Sequence, residues 1–339
     1  TNQFAIKNNL SNNLLNSLEF NLTAAQSRCI KEIHEDLSNT EPMLRLLQGD
    51  VGSGKTIVAV FSLIQAVENN FQTAVMAPTE ILARQHLQNF TDYLKPLNIQ
   101  IAYLSGSQNT QERREQLELI ETGKAKVIIG THALFQENVN FENLSLVIID
   151  EQHKFGVHQR LSLTQKAKKT PHQLVMTATP IPRSLTMSAY ADLDTSVIDE
   201  LPPGRQPVET VALSNSRRDE LIGKIRKISD EGRQIYWVCT LIEESDALRA
   251  ESAEKTFNYL SSNLEDLKVV MIHGRLTKPE KEAIMSAFAQ GNINLLVATT
   301  VIEVGVNVPN ASLMIVENSE RLGLAQLHQL RGRVGRGSE

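Results

Sequence analysis

The chain has few of the residues on which disulfide scaffolds, metal clusters and membrane spans depend. Its 339 residues include two cysteines, Cys29 and Cys239, which lie far apart and match no metal-binding or CxxC spacing. The eight histidines form no HExxH motif, no apolar run approaches the ~18 residues of a membrane span, and no secretory signal is visible. The membrane class is therefore excluded, as the ordinary globular composition excludes disordered and collagen-like classes, and we expect two buried free thiols in a reducing cytosol.

Aromatic residues and net positive charge are also scarce. Aromatic side chains make up 5% of the chain, so a nucleic acid bound to it is expected to be held by its backbone rather than by extensive base stacking. The formal charge of -5 argues against a surface coated with basic charge. Because binding depends on where charge lies, this total does not exclude a local basic strip.

Short apolar runs alternate with helix-length amphipathic segments along the chain, a pattern typical of a parallel sheet covered by helices. The predicted strands are Leu44–Leu47, Thr73–Ala77, Lys126–Ile129, Leu146–Ile149, Gln173–Met176, Gln234–Cys239, Val269–Ile272, Leu295–Ala298 and Leu313–Val316. The predicted helices between them include Thr56–Asn69, Glu80–Leu94, Ala247–Leu260 and Pro279–Phe288.

A segment rich in proline divides the chain. Residues 201–207 contain three prolines and one glycine and are predicted to be a linker. The expected organisation is an N-terminal extension at 1–20, a first domain at 21–203 and a second domain at 204–339. Because the first residue is Thr1 rather than Met, we expect a trimmed piece of a longer protein, with a terminal helix in 1–20 that docks on a missing part.

A phosphate-binding motif follows the first predicted strand. Residues 49–56 read GDVGSGKT and fit the pattern G-x-x-x-x-G-K-[ST]. Its glycines allow backbone N–H groups to turn toward phosphate oxygens, and the following helix adds a partial positive charge. Lys55 is predicted to reach the β- and γ-phosphates, and the Thr56 hydroxyl to ligate Mg²⁺. The predicted ATP-binding residues of this loop are Gly49, Asp50, Val51, Gly52, Ser53, Gly54, Lys55 and Thr56.

Two carboxylates follow a later apolar strand. The run Leu146–Ile149 leads directly into Asp150 and Glu151, which places both acids at the carboxyl edge of the sheet, where ligands bind in such folds. Asp150 is predicted to hold Mg²⁺, and Glu151 to orient or deprotonate the attacking water. The alternative is a strand that ends in a solvated acidic turn.

Longer motifs make the class more specific. The chain reads DEQHKFGVHQR at 150–160, MTATPIPRSL at 176–185, VATTVIEVGVNVPNAS at 297–312 and QLHQLRGRVGRG at 326–337. In this order they resemble the motor of the RecG-type ATP-dependent DNA helicases of superfamily 2. The transcription–repair coupling translocases are similar, but DEQH and the IPRS after TATP favour the RecG type. The resemblance implies an α/β P-loop NTPase fold of two RecA-like parallel-sheet domains with a cleft between them.

The resemblance also implies further contacts with ATP. Gln26 matches the family glutamine that reads the edge of adenine, a task that suits an amide because it donates and accepts together. Thr23 is at the same time an ordinary helix N-cap. Gln329 belongs to the same nucleotide set, and Arg333 and Arg336 match the arginine fingers that act on the γ-phosphate from the second domain.

Other matched residues are expected to couple hydrolysis to the nucleic acid or to contact its backbone. The coupling residues implied by the family motifs are Gln152, His153, Thr177 and Thr179. The implied DNA-contacting residues are Thr79, Thr131, His132, His273 and Thr299. One position departs from the family pattern: Asn307 stands where an aspartate is common, so the side chain keeps an acceptor and gains a donor but loses the negative charge.

Two acid-free strips supply the local positive charge that the total conceals. Residues 152–191 hold six lysines and arginines and no acid, and residues 321–338 hold four arginines and no acid. Such strips suit salt-sensitive contacts with phosphates that are indifferent to base sequence. For Lys166–Lys169, a solvated lysine face remains the alternative.

The implied function is that of an ATP- and Mg²⁺-dependent DNA helicase or translocase. It would act on stalled forks and Holliday junctions in recombination and repair, with translocation on duplex DNA of the 3′–5′ type. A translocase of transcription–repair coupling, an RNA helicase of superfamily 2 and, least favoured, a binding module without hydrolysis remain alternatives. We expect a monomer in the bacterial cytoplasm, associated with the nucleoid, that lacks the wedge and the C-terminal coupling segment of the family and therefore unwinds forks weakly.

Overall fold

The structure is a computed structural model that describes residues 1–150, 166–178, 193–200, 208–240, 246–299, 308 and 310–335. The chain divides into two compact units, Thr1–Pro202 and Pro203–Glu339. Each unit has its own parallel sheet and its own hydrophobic core, as the alternation of apolar strands and helices predicted.

The first unit alternates strands with helices. Its helices are α1 (Asn9–Ser17), α2 (Ala24–Leu37), α3 (Lys55–Glu68), α4 (Glu80–Leu94) and α5 (Thr110–Glu121). Its strands are β1 (Leu44–Gly49), β2 (Gln72–Met76), β3 (Ile101–Leu104), β4 (Val127–Gly130), β5 (Leu144–Asp150), β6 (His172–Thr177) and β7 (Asp194–Ile198). Every described pairing is parallel, in the order β3-β4-β2-β5-β6-β1-β7.

Burial explains which strands the sequence reveals. The inner strands β2 and β4 are buried at every residue, and β5 is buried up to its last residue, Asp150. Strands covered on both faces need continuous apolar runs, and these are the strands that the sequence predicted. The two strands that it did not predict, β3 and β7, form the edges of the sheet.

The N-terminal segment packs on the first unit. Helix α1 contacts α3, and the side chains of Phe4 and Leu14 are 0% exposed within the main core. The imidazole of His172 fixes the start of the chain, since its Nε2 contacts the Asn2 carbonyl at 2.7 Å. The expectation that this segment docks on a missing part is therefore wrong for its buried residues, which are held by the sheet and helices of the unit itself.

The second unit repeats the alternation with fewer strands. Its helices are α6 (Arg218–Asp230), α7 (Asp246–Asn263), α8 (Lys278–Ala289) and α9 (Leu324–Arg331). Its strands are β8 (Gln234–Cys239), β9 (Val269–Ile272), β10 (Leu295–Thr299) and β11 (Ala311–Glu317), all parallel where described and ordered β11-β8-β10-β9.

The two sheets share one strand order and one register. The first sheet contains the order β3-β4-β2-β5, and the second has the corresponding order β9-β10-β8-β11. The strand at the centre begins with a glutamine in each unit, Gln72 or Gln234. Its neighbour, β5 or β11, skips one residue of the pairing near its start and ends in an acid. This common register makes Asp150 and Glu317 equivalent positions.

The two glutamines make the same buried contacts. The Gln72 amide donates to the carbonyls of Ile120 (2.8 Å) and Ala125 (3.0 Å), which lie at the end of α5 and in the turn before β4. Gln234 donates to the two corresponding carbonyls of the second unit, each at 2.6 Å. Since buried carbonyls need partners, each glutamine closes the turn between a helix and the next strand.

The cysteines behave as the sequence predicted. Cys29 and Cys239 are free and buried. Burial is the main cause that raises the pKa of the Cys29 thiol to about 11 and that of Cys239 to about 12. Neither thiol is therefore a ready nucleophile at neutral pH. Among the helices of the described ranges, none is long and apolar enough to cross a membrane.

Candidate nucleotide-binding site

The predicted phosphate loop lies between β1 and α3. Strand β1 ends at Gly49, and α3 starts at Lys55 with Gly54 as its N-cap in the left-handed region (φ 90°). This backbone angle requires glycine, and a Cβ at position 54 would also lie 2.2 Å from the amide nitrogen of Gln26, which would have to move. The loop thus delivers the N-terminus of a buried helix to the carboxyl edge of the sheet, where anions are favoured.

The side chain of Lys55 folds back over this loop. Its ammonium group donates to the carbonyl of Gly49 at 2.6 Å and to that of Asp50 at 2.9 Å. Ser53 is 1% exposed, and its hydroxyl has no partner among the described residues. A cation and an unsatisfied buried hydroxyl inside one turn of backbone suit a ligand that carries phosphate oxygens.

Gln26 joins the loop to helix α2. Its amide nitrogen donates to the Ser53 carbonyl at 2.9 Å, and its amide oxygen accepts from the backbone N–H of Thr23 at 2.9 Å. Thr23 caps α2 in return, which completes a capping box and bears out the N-cap prediction. Gln26 itself is only 3% exposed. The contact with adenine stays a prediction. It would use the second N–H group of the Gln26 amide, which neither of these two bonds occupies.

The predicted Mg²⁺ ligand Asp150 ends β5, two strands from the phosphate loop. Strand β6 lies between β1 and β5, so the two strand ends are about 10 Å apart along one edge of the sheet. Asp150 accepts a hydrogen bond from His86 Nε2 at 2.7 Å. Thr177, predicted to couple ATP to DNA, ends β6 between them and is 2% exposed. The predicted residues Glu151, Gln152, His153 and Thr179 lie outside the described residues.

These residues fit a nucleotide with its magnesium ion. The hydroxyl of Thr56 belongs to the first turn of α3, and the carboxylate of Asp150 lies at the same edge of the sheet. No cluster of three or more His, Cys, Asp or Glu side chains suited to a metal occurs in the described ranges. Magnesium does not need one, because it is usually held by one or two protein ligands together with phosphates and water.

The predicted DNA-contacting residues of the first unit share this edge but differ in exposure. Thr79 is the exposed N-cap of α4, and His132 is exposed just after β4. Thr131, by contrast, is 1% exposed, and its hydroxyl has no described partner. Thr79 and His132 are therefore accessible from solvent whereas the Thr131 hydroxyl is not, and the DNA contact of all three residues stays a prediction.

The corresponding residues of the second unit show the same contrast. Thr299 ends β10 at 3% exposure, whereas His273 follows β9 and is half-buried. Gln329 lies on α9, and Arg333 lies in the turn after it, with its N–H bonded to the Leu330 carbonyl at 2.9 Å. Arg336 and Asn307 lie outside the described residues, and the roles of Gln329 and Arg333 toward ATP stay predictions.

Part of the first basic strip turns inward. Lys166 donates to the carbonyls of Gln136 (2.7 Å) and Val139 (3.0 Å), and burial lowers its pKa below the usual value. Lys166 therefore ties down a loop, whereas Lys168 and Lys169 are exposed. At Lys166 the alternative of a solvated lysine face is therefore wrong, because two backbone carbonyls bind its ammonium group, and a contact of the strip with phosphates stays a prediction.

Two family models divide the chain between them. The DEAD/DEAH box helicase model matches residues 23–188, and the helicase conserved C-terminal domain model matches residues 217–338. The first contains the phosphate loop and Asp150, and the second contains the arginine-rich motif. Two parallel-sheet units that match these models in this order define the motor core of a helicase.

Individual relatives are more specific. The ATP-dependent DNA helicase RecG of Escherichia coli O157:H7 is 58% identical over 333 residues, which are 97% of this chain and 48% of that protein. RecG of Thermotoga maritima is 49% identical over 98% of this chain and 43% of its own. A structure of RecG bound to a three-way DNA junction matches with a TM-score of 0.83 and 44% identity, over 99% of this chain and 44% of that one. Together these matches show that the chain is a helicase core of the RecG type, within superfamily 2.

The match does not extend over whole relatives. The chain spans about half the length of the RecG proteins that it matches, 48% for the Escherichia coli protein. What it shares with them is the motor core, and the two family models lie within that part. The helicase assignment made from the motifs is thereby confirmed at the level of family and fold.

Proposed function

We propose that this chain is the ATP-hydrolysing motor of a DNA helicase or translocase that acts on branched DNA. The observation that carries the proposal is the pairing of a complete phosphate loop with a strand-end carboxylate, Asp150, on the same edge of the sheet with one strand between them. The identity of 58% with a DNA helicase, over nearly the whole chain, supports DNA rather than RNA as the nucleic acid.

The residues of the first unit supply the parts of the reaction that concern ATP. The ammonium group of Lys55 exchanges its bonds with the loop carbonyls for the β- and γ-phosphates when ATP enters. Thr56 and Asp150 would hold a magnesium ion, which would neutralise charge on the phosphates. Glu151 orients the attacking water, and Arg333 and Arg336 act as fingers on the γ-phosphate.

The nucleic acid is expected to run along the exposed helix starts at the carboxyl edge of the first sheet. Thr79 and His132 contact its backbone, while the acid-free strips supply positive charge. Since phosphate contacts do not distinguish bases, translocation is expected to be independent of sequence. A monomer is sufficient for this scheme, because both units belong to one chain.

Substitution of Lys55 tests the motor directly. Lys55→Ala is expected to lower ATP hydrolysis stimulated by forked DNA at least a hundredfold, because the group that reaches the phosphates is lost. Release of inorganic phosphate is measured with and without the fork. Lys31→Ala is the matched control, since that lysine side chain is 78% exposed on α2. Undiminished hydrolysis in the Lys55 variant would sink the proposal.

The same assay separates DNA from RNA. Forked DNA, linear DNA and an RNA fork of the same sequence are compared as activators of the parent chain. The proposal expects the largest stimulation with forked DNA. Equal or greater stimulation by RNA would instead support an RNA helicase of superfamily 2, the second candidate named by the motifs.

A further inference from the structure

One buried face of α4 carries a polar residue that packing does not require. The buried residues of this helix are Ala83, His86, Phe90 and Leu94, which recur at the spacing of a single helical face. Three of them are apolar. The remaining one, His86, carries an imidazole, whose burial costs free energy unless it is hydrogen-bonded. The group to which it is hydrogen-bonded therefore indicates why a histidine is present.

That partner is the carboxylate predicted to hold magnesium. His86 Nε2 donates to Asp150 Oδ2 at 2.7 Å, and the two side chains are 9% and 14% exposed. The ring is also fixed by an edge-to-face contact with Phe90, whose centroid is 5.8 Å away. The other ring nitrogen, Nδ1, is buried without a hydrogen-bond partner in the described part of the chain. The imidazole is therefore oriented toward a single known acceptor, at the cost of an unsatisfied nitrogen.

The second unit shows what the same position looks like away from the phosphate loop. Its strand-end acid, Glu317, accepts from Thr256 Oγ1 (3.3 Å) on α7, the helix that follows β8 as α4 follows β2. Glu317 is also paired with the guanidinium of Arg218 at 3.0 Å. In both units a side chain of the equivalent helix thus donates a hydrogen bond to the acid that ends the equivalent strand. Only the first unit has a phosphate-loop motif.

We propose that His86 is a positioning residue that orients the Asp150 carboxylate for the magnesium ion of the bound nucleotide. This inference rests on the proposed function. A hydrogen bond from a buried, immobilised donor to a metal-binding carboxylate fixes the plane of the group and so orients it for the metal. The helix that carries His86 begins at Thr79, about 10 Å away along its axis. The magnesium ligand is therefore held by the same rigid element that presents a predicted DNA contact.

The test measures magnesium dependence rather than activity. Binding of a fluorescent ATP analogue is titrated with Mg²⁺ and repeated in EDTA. His86→Ala is expected to raise the Mg²⁺ concentration for half-maximal binding about 10- to 100-fold, with little change in EDTA. His86→Gln places an amide nitrogen near the position of Nε2 and should restore most of the affinity. His86→Asn has an amide that is too short to reach and should not.

The control removes the equivalent contact from the second unit. Thr256→Val loses the bond to Glu317 and is expected to leave the Mg²⁺ requirement unchanged. If His86→Ala weakens binding equally with Mg²⁺ and in EDTA, the residue is merely structural and the proposal is overturned. An unchanged Mg²⁺ requirement in His86→Ala overturns the proposal too. If His86→Ala does not fold, the Mg²⁺ requirements of His86→Gln and His86→Asn are compared instead, and equal values overturn the proposal. A parent chain without Mg²⁺-dependent binding would instead refute the proposed function.

Discussion

His172 shows how one buried ring can make the stability of the first unit depend on pH. Its Nδ1 accepts from the Met43 N–H at 3.0 Å, and its Nε2 donates to the Asn2 carbonyl at 2.7 Å. These two bonds need the neutral ring, because a protonated Nδ1 cannot accept. Burial is the main cause that lowers the pKa of His172 below 6.5. The unfolded chain therefore takes up the proton at a higher pH than the folded chain does.

The sign of the effect follows from this difference. The stabilising contribution of His172 is complete above pH 6.5 and is lost as the pH falls below that value. His172→Asn retains an acceptor near Nδ1 but does not titrate. It is expected to be less stable at pH 8, with a smaller loss of unfolding free energy between pH 7.5 and 5.5. Urea unfolding at several pH values measures this, and equal slopes for both proteins would contradict it. A residual slope is expected, because burial also lowers the pKa of His34.

Gln26 acts on the phosphate loop whether or not it also contacts adenine. Gln26→Ala removes the bond to the Ser53 carbonyl, and the loss of a buried hydrogen bond costs about 1–3 kcal/mol. Binding of both ATP and GTP is therefore expected to weaken by about tenfold, as measured by equilibrium titration. Any additional loss confined to ATP measures the adenine contact predicted from the family. Unchanged affinity for both nucleotides would show that the loop does not depend on this amide.

At the scale of elements, the two strand-initial glutamines allow a matched comparison. Gln72→Leu leaves two buried carbonyls without their donor, and we expect a loss of about 1–3 kcal/mol in the unfolding free energy of the first unit. Gln234→Leu is expected to destabilise the second unit by a similar amount.

Amide hydrogen exchange, measured separately for the two units, distinguishes destabilisation of the first unit from destabilisation of the second. Each variant should lose protection in its own unit, and Gln111→Leu on the polar helix α5 should change little. Loss of protection that spreads equally through both units in either variant would show that the units do not unfold separately.

The elements that the sequence predicted and those that it did not differ in their surroundings. Inner strands are covered on both faces and leave apolar runs, so β2, β4 and β5 were predicted nearly to their ends. The edge strand β7 has the sequence DTSVI, which is polar on its open side and resembles a loop. Periodicity detects burial, and edge strands have too little of it.

The candidate site divides in the same way. The phosphate loop and Asp150 could be predicted because their residues are contiguous and have a recognisable spacing. The contact between His86 and Asp150 joins residues 64 positions apart, and a histidine on a helix is not a signal by itself. Only the packing of α4 against the sheet brings the two together. The inward turn of Lys166 also depends on a tertiary contact, with carbonyls about 30 residues away in the chain.

At the scale of the whole molecule, the charge of -5 predicts little about binding to nucleic acid. The acid-free strips are expected to contact phosphates, and a protein that makes about six such contacts loses about 10³ in affinity between 50 and 200 mM salt. Fluorescence anisotropy on two forks of scrambled sequence measures this. The prediction is a steep salt dependence with equal affinity for both forks. A shallow dependence, or a strong preference for one sequence, would contradict backbone tracking.

The shared strand order of the two units also bears on ancestry. The same register irregularity, an initial glutamine and a terminal acid, Asp150 or Glu317, occur in both sheets. Such coincidences of detail are expected of two copies of one ancestral segment that were joined by duplication. In the second copy, the Arg218 guanidinium neutralises the terminal acid from within the protein. The terminal acid of the second unit is thus balanced by a side chain of the protein itself, whereas the equivalent Asp150 is the proposed ligand of a magnesium ion.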